Sequence, residues 1–378
     1  MRIVGLAIMI FAVAQVTAAE PGPPRNPGGG VVEHLVLAPA NNHARNSEGD
    51  FIRLKDGRIL FVYSRFTDGN GDDSHSFLAG RVSPDDGATW SDQDQMVLPA
   101  NTDGVPTVSS VSLLRLKDGR LSMFYLTRKT DTDRQFVMRT SQDEGKTWSN
   151  ATVCTPGPGY VVVTNSRVVR LKSGRIMFPA ARHELPEQLK GDHRGIATCY
   201  YSDDEGNTWR ECQTPLQATA NSHSGFQYPA IAELRNGRLI MLMAMHLRPL
   251  SRSYSSDGGQ TWSPPTATDL ATPVSPPAIR RIPSTGDLLL IWNDHTNAIP
   301  SLKNARTPLT AAISQDEGQT WTHRKMLYSD RDGSYQFTAI EFVHDRVLLG
   351  LCAANKAHGN AALARTVICT FDLDWLYH

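Results

Sequence analysis

An eight-residue pattern, Ser-x-Asp-x-Gly-x-Thr-Trp, occurs five times in this chain. The copies are SPDDGATW at Ser83–Trp90, SQDEGKTW at Ser141–Trp148, SDDEGNTW at Ser202–Trp209, SSDGGQTW at Ser255–Trp262 and SQDEGQTW at Ser314–Trp321. Their starts lie 53 to 61 residues apart, and they hold five of the seven tryptophans. A period of this length is the mark of a repeat architecture. Ahead of each copy runs a second motif, in which two apolar stretches flank a tight polar turn. The examples are FIRLKDGRILFVY from Phe51, SLLRLKDGRLSMFY from Ser112, RVVRLKSGRIMFP from Arg167, AIAELRNGRLIMLM from Ala230 and AIRRIPSTGDLLLIW from Ala278. A sixth, AIEFVHDRVLLGLC from Ala339, has no box after it. Asp-Gly or Asn-Gly between β-rich runs signals a hairpin.

Each unit therefore reads as two hairpins, the second turned by the box. Repeated four-stranded units of about 60 residues predict a β-propeller. The expected fold is all-β, a six-bladed β-propeller of four-stranded antiparallel blades with five Asp-box turns, in one domain over residues 32–378. The N-terminal VEHLVLAP from Val32 is expected to supply the last strand of the sixth unit. In the box, Ser and Asp can bond turn amides, Gly can take positive φ, and Trp can bury between sheets. That makes the box structural, so Asp85, Asp143, Asp204, Asp257 and Asp316 are not read as catalytic.

Composition narrows the partners. Lys+Arg and Asp+Glu are both 38, so no net charge draws the chain to nucleic acid or an anionic membrane. Arg2, an apolar run over residues 3–16 and Thr17-Ala18-Ala19 read as a signal peptide over residues 1–19, which implies a secreted or periplasmic protein with no membrane span after cleavage. Residues 20–31 (EPGPPRNPGGGV) read as a flexible linker. Five cysteines match no zinc spacing. Cys199 and Cys212 flank one turn and are read either as a disulfide or as buried free thiols. No metal motif such as HExxH occurs, and no cofactor is expected. The oligomeric state is not legible.

The boxes and their hairpins resemble the Asp-box, or BNR, repeats of the sialidase family, across roughly residues 32–377. The resemblance implies an exo-glycosidase that removes terminal acidic sugars such as sialic acid from glycoconjugates, with a retaining mechanism. Such enzymes use a Tyr nucleophile instead of a second carboxylate, aided by a Glu, with an Asp acid/base and three Arg that hold the sugar carboxylate. Carried over by motif, the nucleophile is Tyr335 in SYQFTAIEFV, and one Arg is Arg306 in RTPLTAAISQDEGQTW. The acid/base falls in the loop RFTDGNGDDSHSF beside Asp72, with Asp73 preferred and Asp68 in reserve. At the first-blade Arg position stands Glu48, so Arg45 is the nearest substitute and Glu48 a replacement helper. In the fourth blade, Gln227-Tyr228-Pro229 replaces an expected Asn-Glu-Pro. No Arg aligns near Ala244, and Arg248 and Arg252 follow. Arg65, Arg167, Arg182, His183, Asn293, Asp294 and His295 are further candidates for the axial mouth, with Arg65, Arg167 and Arg248 assigned to substrate. The departures leave open a non-catalytic glycan- or protein-binding propeller, or a glycosidase for a different acidic sugar.

This reading separates scaffold from mouth. Trp148→Ala is expected to cost about 3–5 kcal/mol, the usual loss for a buried large aromatic. Arg306→Ala should leave thermal melting near wild type and abolish acidic-sugar binding. Melting curves read beside a binding assay check both, and the reverse ordering would overturn the division.

Overall fold

The computed structural model describes residues 28–130, 132–157, 159–183, 194–246, 249–296, 305–359 and 361–378. The segment read as a signal peptide lies outside them, as does Arg248. Nearly all regular structure is strand. Four sheets have four antiparallel strands each. The first runs Arg45–Arg53, Ile59–Phe66, Ser76–Ser83 and Gln95–Leu98, in chain order. Two more begin at Gln227–Glu233 and at Ala278–Arg281. The last contains Gly333–Val343, Arg346–Asn355 and Thr366–Asp372, and its fourth strand is the N-terminal Val32–Leu37. Chain start and chain end are thus hydrogen-bonded into one sheet. The close of the expected linker is also tied down. The Gly28 amide donates to the Leu327 carbonyl at 2.8 Å, and a Cβ on Gly30 would stand 2.2 Å from the Trp375 ring.

The second and third repeats depart from separate four-stranded units. The short strand Tyr160–Val162 pairs antiparallel with Ile176–His183 and parallel with Arg134–Ser141. It fuses the two repeats into one nine-stranded sheet.

The local chemistry follows the motifs. At the first hairpin turn the Gly57 amide donates to the Leu54 carbonyl at 3.0 Å, with φ at 91°, a value that suits glycine. In the first box, Ser83 Oγ donates to Asp85 Oδ1 at 3.0 Å and accepts from the Gly87 amide at 2.8 Å. The Thr89 amide and hydroxyl donate to the two Asp85 oxygens at 2.8 and 2.7 Å. The same bonds recur around Asp143, Asp204, Asp257 and Asp316. The residue after the box Asp clips neighbours together. Glu144 accepts two bonds from the Arg115 guanidinium of its own repeat and one from the Lys55 amide of the repeat before. Glu205 does so with Arg170 and Lys117, and Glu317 with Arg281 and Arg235. The fourth box has Gly258 at this position, and there Glu233 takes the Lys172 amide instead.

Box tryptophans Trp90, Trp209, Trp262 and Trp321 are buried, but Trp148 is only half-buried. Trp90 packs on Phe51 and Phe61, and Trp209 on Phe124 and Phe178. Trp148 caps a cluster around Leu60 and Leu121 from outside. Its expected loss on truncation therefore falls below the full-burial range. All five cysteines are buried and free. Cys212 and Cys199 are neighbours, with the Cys212 amide donating to the Cys199 carbonyl at 2.8 Å.

Side chains join the innermost strands across the middle of the molecule. Asn165 Nδ2 donates to the Gly49 carbonyl at 2.7 Å and to the Phe337 carbonyl at 3.0 Å. Arg167 Nη2 reaches the Pro277 carbonyl at 2.6 Å. Arg280 donates to Ser166 Oγ at 3.0 Å. Near these lie two carboxyls with raised pKa values. Burial pushes Asp50 up to about 6, and burial followed by the Asp50 charge pushes Glu341 up to about 7.

Two measurements check this picture. By thermal or chemical denaturation, Trp209→Ala is expected to lose about 3–5 kcal/mol and Trp148→Ala about 1–3 kcal/mol; equal losses would contradict the burial difference. A carboxyl with a raised folded-state pKa holds more protons in the folded chain than in the unfolded one. Its contribution therefore favours folding below the ordinary carboxylate range and is lost as pH rises through the folded value. For Asp50 and Glu341 the loss falls between about pH 4 and about pH 7. Melting temperature followed over that window is expected to vary less with pH in Glu341→Gln than in wild type.

Candidate functional site

Four innermost strands carry the same local defect. At each, the register slips by one residue: between Ser47 and Asp50, Ser109 and Ser112, Gln227 and Ala230, and Gln336 and Ala339. Within each bulge one residue adopts positive φ: Glu48 (60°), Ser110 (57°), Tyr228 (51°) and Phe337 (55°). None is glycine, so each conformation costs on the order of 1 kcal/mol or more and is held by its surroundings. The effect is to break the alternation of faces and turn these side chains to a common place. All four line one cavity of about 300 Å³.

The rest of the wall comes from loops and strand ends. Asp72 enters from the loop after Ile59–Phe66. Arg128 and Arg134 come from the hairpin of the second repeat, Tyr160 from the short bridging strand, His183 from the end of Ile176–His183, and Arg306 from the segment before Leu309–Ser314. The Arg134 guanidinium lies 4.1 Å over the Tyr160 ring. Arg306 Nη2 donates to Tyr228 Oη at 3.3 Å and to the Val274 carbonyl at 3.2 Å, and its guanidinium sits 5.9 Å from the Phe337 ring.

Arg45 underlies the acidic side. It is 1% exposed, and one guanidinium serves both carboxylates. Its Nη2 donates to Glu48 Oε1 at 2.6 Å and its Nη1 to Asp72 Oδ1 at 2.7 Å. Glu48 Oε2 accepts from the Ser110 amide at 3.1 Å and hydroxyl at 3.0 Å. The two carboxyls are pushed in opposite directions. Complete burial raises Glu48 above the ordinary range despite Arg45. Partial burial would raise Asp72 too, but the charge and hydrogen bond of Arg45 outweigh it and hold Asp72 below its ordinary value. The Asp72 side chain is 64% exposed, so it is the solvent-facing member of the pair.

Of the sequence candidates, Glu48 and Arg306 line the cavity, Arg45 supports it from behind, and His183 stands on its wall. Asp72 takes the loop position given to Asp73, which is exposed and absent from the lining. Asp68 pairs with His75 at 3.0 Å. Tyr335 does not reach the cavity. It is 1% exposed, its ring stacks on Tyr328 at 4.8 Å, and its hydroxyl donates to Asp330 Oδ2 at 2.6 Å. Burial first, then the Asp330 carboxylate, raises its pKa well above that of an ordinary phenol. The bulge two residues on gives the reason: Phe337, in the left-handed region, is turned to the cavity while Tyr335 remains in the core. Arg65 is taken up by Asp94, and Arg167 is sealed in the interior. Arg182 lies 3.4 Å from Glu211, Arg252 bonds the Gly318 carbonyl at 3.4 Å, and Asp294 pairs with Arg324 at 3.2 Å. His295 bonds the Thr307 carbonyl at 3.1 Å, and Asn293 holds the Tyr335 carbonyl at 3.1 Å.

The residues that sequence reasoning passed over are Arg128, Arg134, Tyr160 and Phe337. No motif surrounds the first three, Phe337 stands in the segment that pointed to Tyr335 instead, and their relation to the mouth depends on bulges and on the bridging strand. Tyr228 did carry a signal, since it occupies the place where the family pattern has Glu.

Among the described residues, no helix is long and apolar enough to cross a membrane. The model of the BNR repeat-like domain family matches residues 72–347, well over half of the chain. A sialidase of Micromonospora viridifaciens is 26% identical over 329 residues, covering 79% of this chain and 47% of its own length. A sialidase of Bacteroides fragilis is 24% identical over 239 residues, 59% of this chain and 40% of the relative. The chain thus spans about half the length of these curated relatives or less. Among solved structures, a protein of unknown function from Dyadobacter fermentans superposes with a TM-score of 0.69 at 18% identity, covering 91% of this chain and all of that one. A Hadza microbial sialidase gives 0.70 at 17% identity, with 88% and 66% covered. The family match, the sialidase relatives and the shared all-β fold together make this chain a member of the BNR repeat-like family within the sialidase superfamily.

Proposed function

We propose that this protein is an exported exo-glycosidase that removes terminal acidic sugars of the sialic acid class, built on a six-bladed propeller. The observation that carries the reading is the composition of the cavity. Three guanidiniums, of Arg128, Arg134 and Arg306, share it with two carboxyls of divergent environment and the phenol of Tyr228. Guanidinium is suited to a sugar carboxylate, which it can grip through two parallel hydrogen bonds. Paired carboxyls with oppositely shifted pKa values are the usual equipment for proton transfer at a glycosidic bond.

In this reading Tyr228, rather than Tyr335, is the nucleophile. Its oxygen bonds to the anomeric carbon as the glycosidic C–O bond breaks, and the phenol proton passes to Glu48, whose raised pKa fits a base. Asp72, at the open rim, protonates the departing oxygen; a glycoside bound over it would exclude water and raise its pKa. In the second half, Asp72 takes a proton from water, the water oxygen bonds to the anomeric carbon, and the tyrosyl C–O bond breaks. The proton held by Glu48 returns to the phenolate oxygen.

A second reading, a non-catalytic glycan-binding propeller, is favoured by one observation: the tyrosine at the family's nucleophile position is bonded to Asp330 in the core.

Hydrolysis of a fluorogenic sialoside between about pH 4 and 8 decides between them. Wild type is expected to turn over. Tyr228→Phe and Asp72→Asn should each lose about 100-fold or more in kcat/KM, and Tyr335→Phe should stay within about threefold while melting lower. Binding without turnover by wild type would establish the second reading. Turnover lost in Tyr335→Phe but retained in Tyr228→Phe would reverse the assignment of the nucleophile.

A further inference from the structure

The loop that carries Asp72 is fastened to the second repeat as well as to Arg45. Most of it is exposed, including Thr67, Asp68, Asn70 and His75. It closes on itself through the Thr67 amide, which donates to the His75 carbonyl at 2.9 Å, and the His75 amide, which donates to Asp68 Oδ1 at 2.7 Å. Two side chains reach it from elsewhere in the fold. Arg45 Nη1 donates to Asp72 Oδ1 at 2.7 Å and to the Asn70 carbonyl at 3.3 Å. Further along, Thr107 Oγ1 donates to the Ser74 carbonyl at 3.0 Å. Where the loop ends, Ser76 Oγ accepts from the Val108 amide and donates to the Val108 carbonyl, both at 2.7 Å. Thr107 is buried, lines the cavity and opens the strand Thr107–Arg115. Three residues along that strand, Ser110 bonds Glu48 Oε2 through its amide and its hydroxyl. Four consecutive residues therefore reach both carboxyls: Ser110 takes Glu48 directly, and Thr107 takes Asp72 through its loop.

We infer that Thr107 is a positioning residue for proton transfer at Asp72: its hydroxyl holds the loop where Asp72 meets both Arg45 and the departing oxygen. This rests on the glycosidase reading above. Arg45 is fixed in the interior, but it grips Asp72 through Oδ1, and an exposed carboxylate held at one oxygen can pivot with its loop. Ser76 fixes the loop's end, four residues from Asp72. Thr107 reaches Ser74, two residues from it, and does so with a β-branched side chain that is stiff at χ1. With Arg45 on one attachment and Thr107 on the next, the carboxyl loses the freedom to swing away from the cavity. Placement of this kind governs rate, since a misplacement of about 1 Å can cost about 100-fold.

Thr107→Val keeps the branched shape and removes the hydroxyl, whereas Thr107→Ser keeps the hydroxyl. On a fluorogenic sialoside, Thr107→Val is expected to lose about tenfold in kcat with KM within about twofold of wild type, and Thr107→Ser to stay within about threefold in both. In an Asp72→Asn background, Thr107→Val is expected to cost less than about twofold, because the group that it positions is gone. No loss in Thr107→Val, an equal loss in Thr107→Ser, or an undiminished loss in the Asp72→Asn background would overturn the inference. Thermal melting shows that each variant is folded at the assay temperature, and Thr107→Ala replaces Thr107→Val if that one is not. A second readout needs no turnover. The Asp72 carboxyl, assigned in 13C NMR by its absence from Asp72→Asn, is held below its ordinary value by Arg45. Its titration is expected to move up toward that value in Thr107→Val and to return in Thr107→Ser. If wild type turns over no sialoside, the glycosidase reading fails and this titration decides alone: a shifted carboxyl keeps Thr107 as the residue that places Asp72, and an unmoved one removes it.

Discussion

Residues 165–167 cross the centre of the molecule, and the arrangement of the sheets depends on them. Asn165 binds carbonyls on the first and last innermost strands, and Arg167 binds one just before the innermost strand of the fifth repeat. Both side chains are buried. A buried amide or guanidinium is costly unless the chain supplies partners, and those of Asn165 Nδ2 and Arg167 Nη2 come from two sheets and from the residue that leads into a third, while Asn165 Oδ1 and Arg167 Nε are buried without one. Relative displacement of any sheet would strand polar groups in the interior. Burial has a further cost that can be seen directly: together with the nearby Arg280 charge, it pulls the Arg167 guanidinium down to about 9.

On this central tie the mouth can carry strain. Glu48, Ser110, Tyr228 and Phe337 all sit in a backbone region that L-residues avoid. A regular strand would alternate its side chains between faces, leaving one in two directed away from the opening. The bulges break that alternation at equivalent places and gather side chains from four strands into one cavity. The same device explains Tyr335 and Phe337. They are two residues apart and would share a face in a regular strand, yet one is in the core and the other in the cavity.

The electrostatics of the mouth follow from a single buried cation. Arg45 needs carboxylate partners to be tolerable in the interior, and it finds two. Glu48, also sealed in, keeps a raised pKa because desolvation outweighs the attraction. Asp72, open to water, is held ionised by the same guanidinium. Two chemically similar groups that share one guanidinium are thus set apart by depth, which lets Arg45 prevail at Asp72 and desolvation prevail at Glu48. The boxes at the far turns show the complementary behaviour: their aspartates are bonded by local amides and hydroxyls in the same way each time, and none enters the cavity.

What the sequence by itself determined is what local chemistry determines. Ser-x-Asp-x-Gly-x-Thr closes its own turn through bonds within five residues, so its structure was legible wherever it occurred. The Lys-Asp-Gly-Arg hairpins were legible for the same reason, and so was the use of Val32–Leu37 as a partner for the last strand, since that repeat lacked one. Arg306 and Glu48 could be found because they stand at fixed offsets from such motifs. Tertiary structure alone decided the rest. Whether Tyr335 or Phe337 faces the cavity depends on a one-residue slip against Arg346–Asn355, and nothing in SYQFTAIEFV announces it. Whether Arg167 meets solvent or the interior depends on strands more than a hundred residues away. Trp148 shares its box with four buried tryptophans but lacks the aromatic neighbours that surround Trp90 and Trp209. Bonds closed within a few residues are written in order along the chain, whereas burial and the direction of a side chain are set by what folds against it.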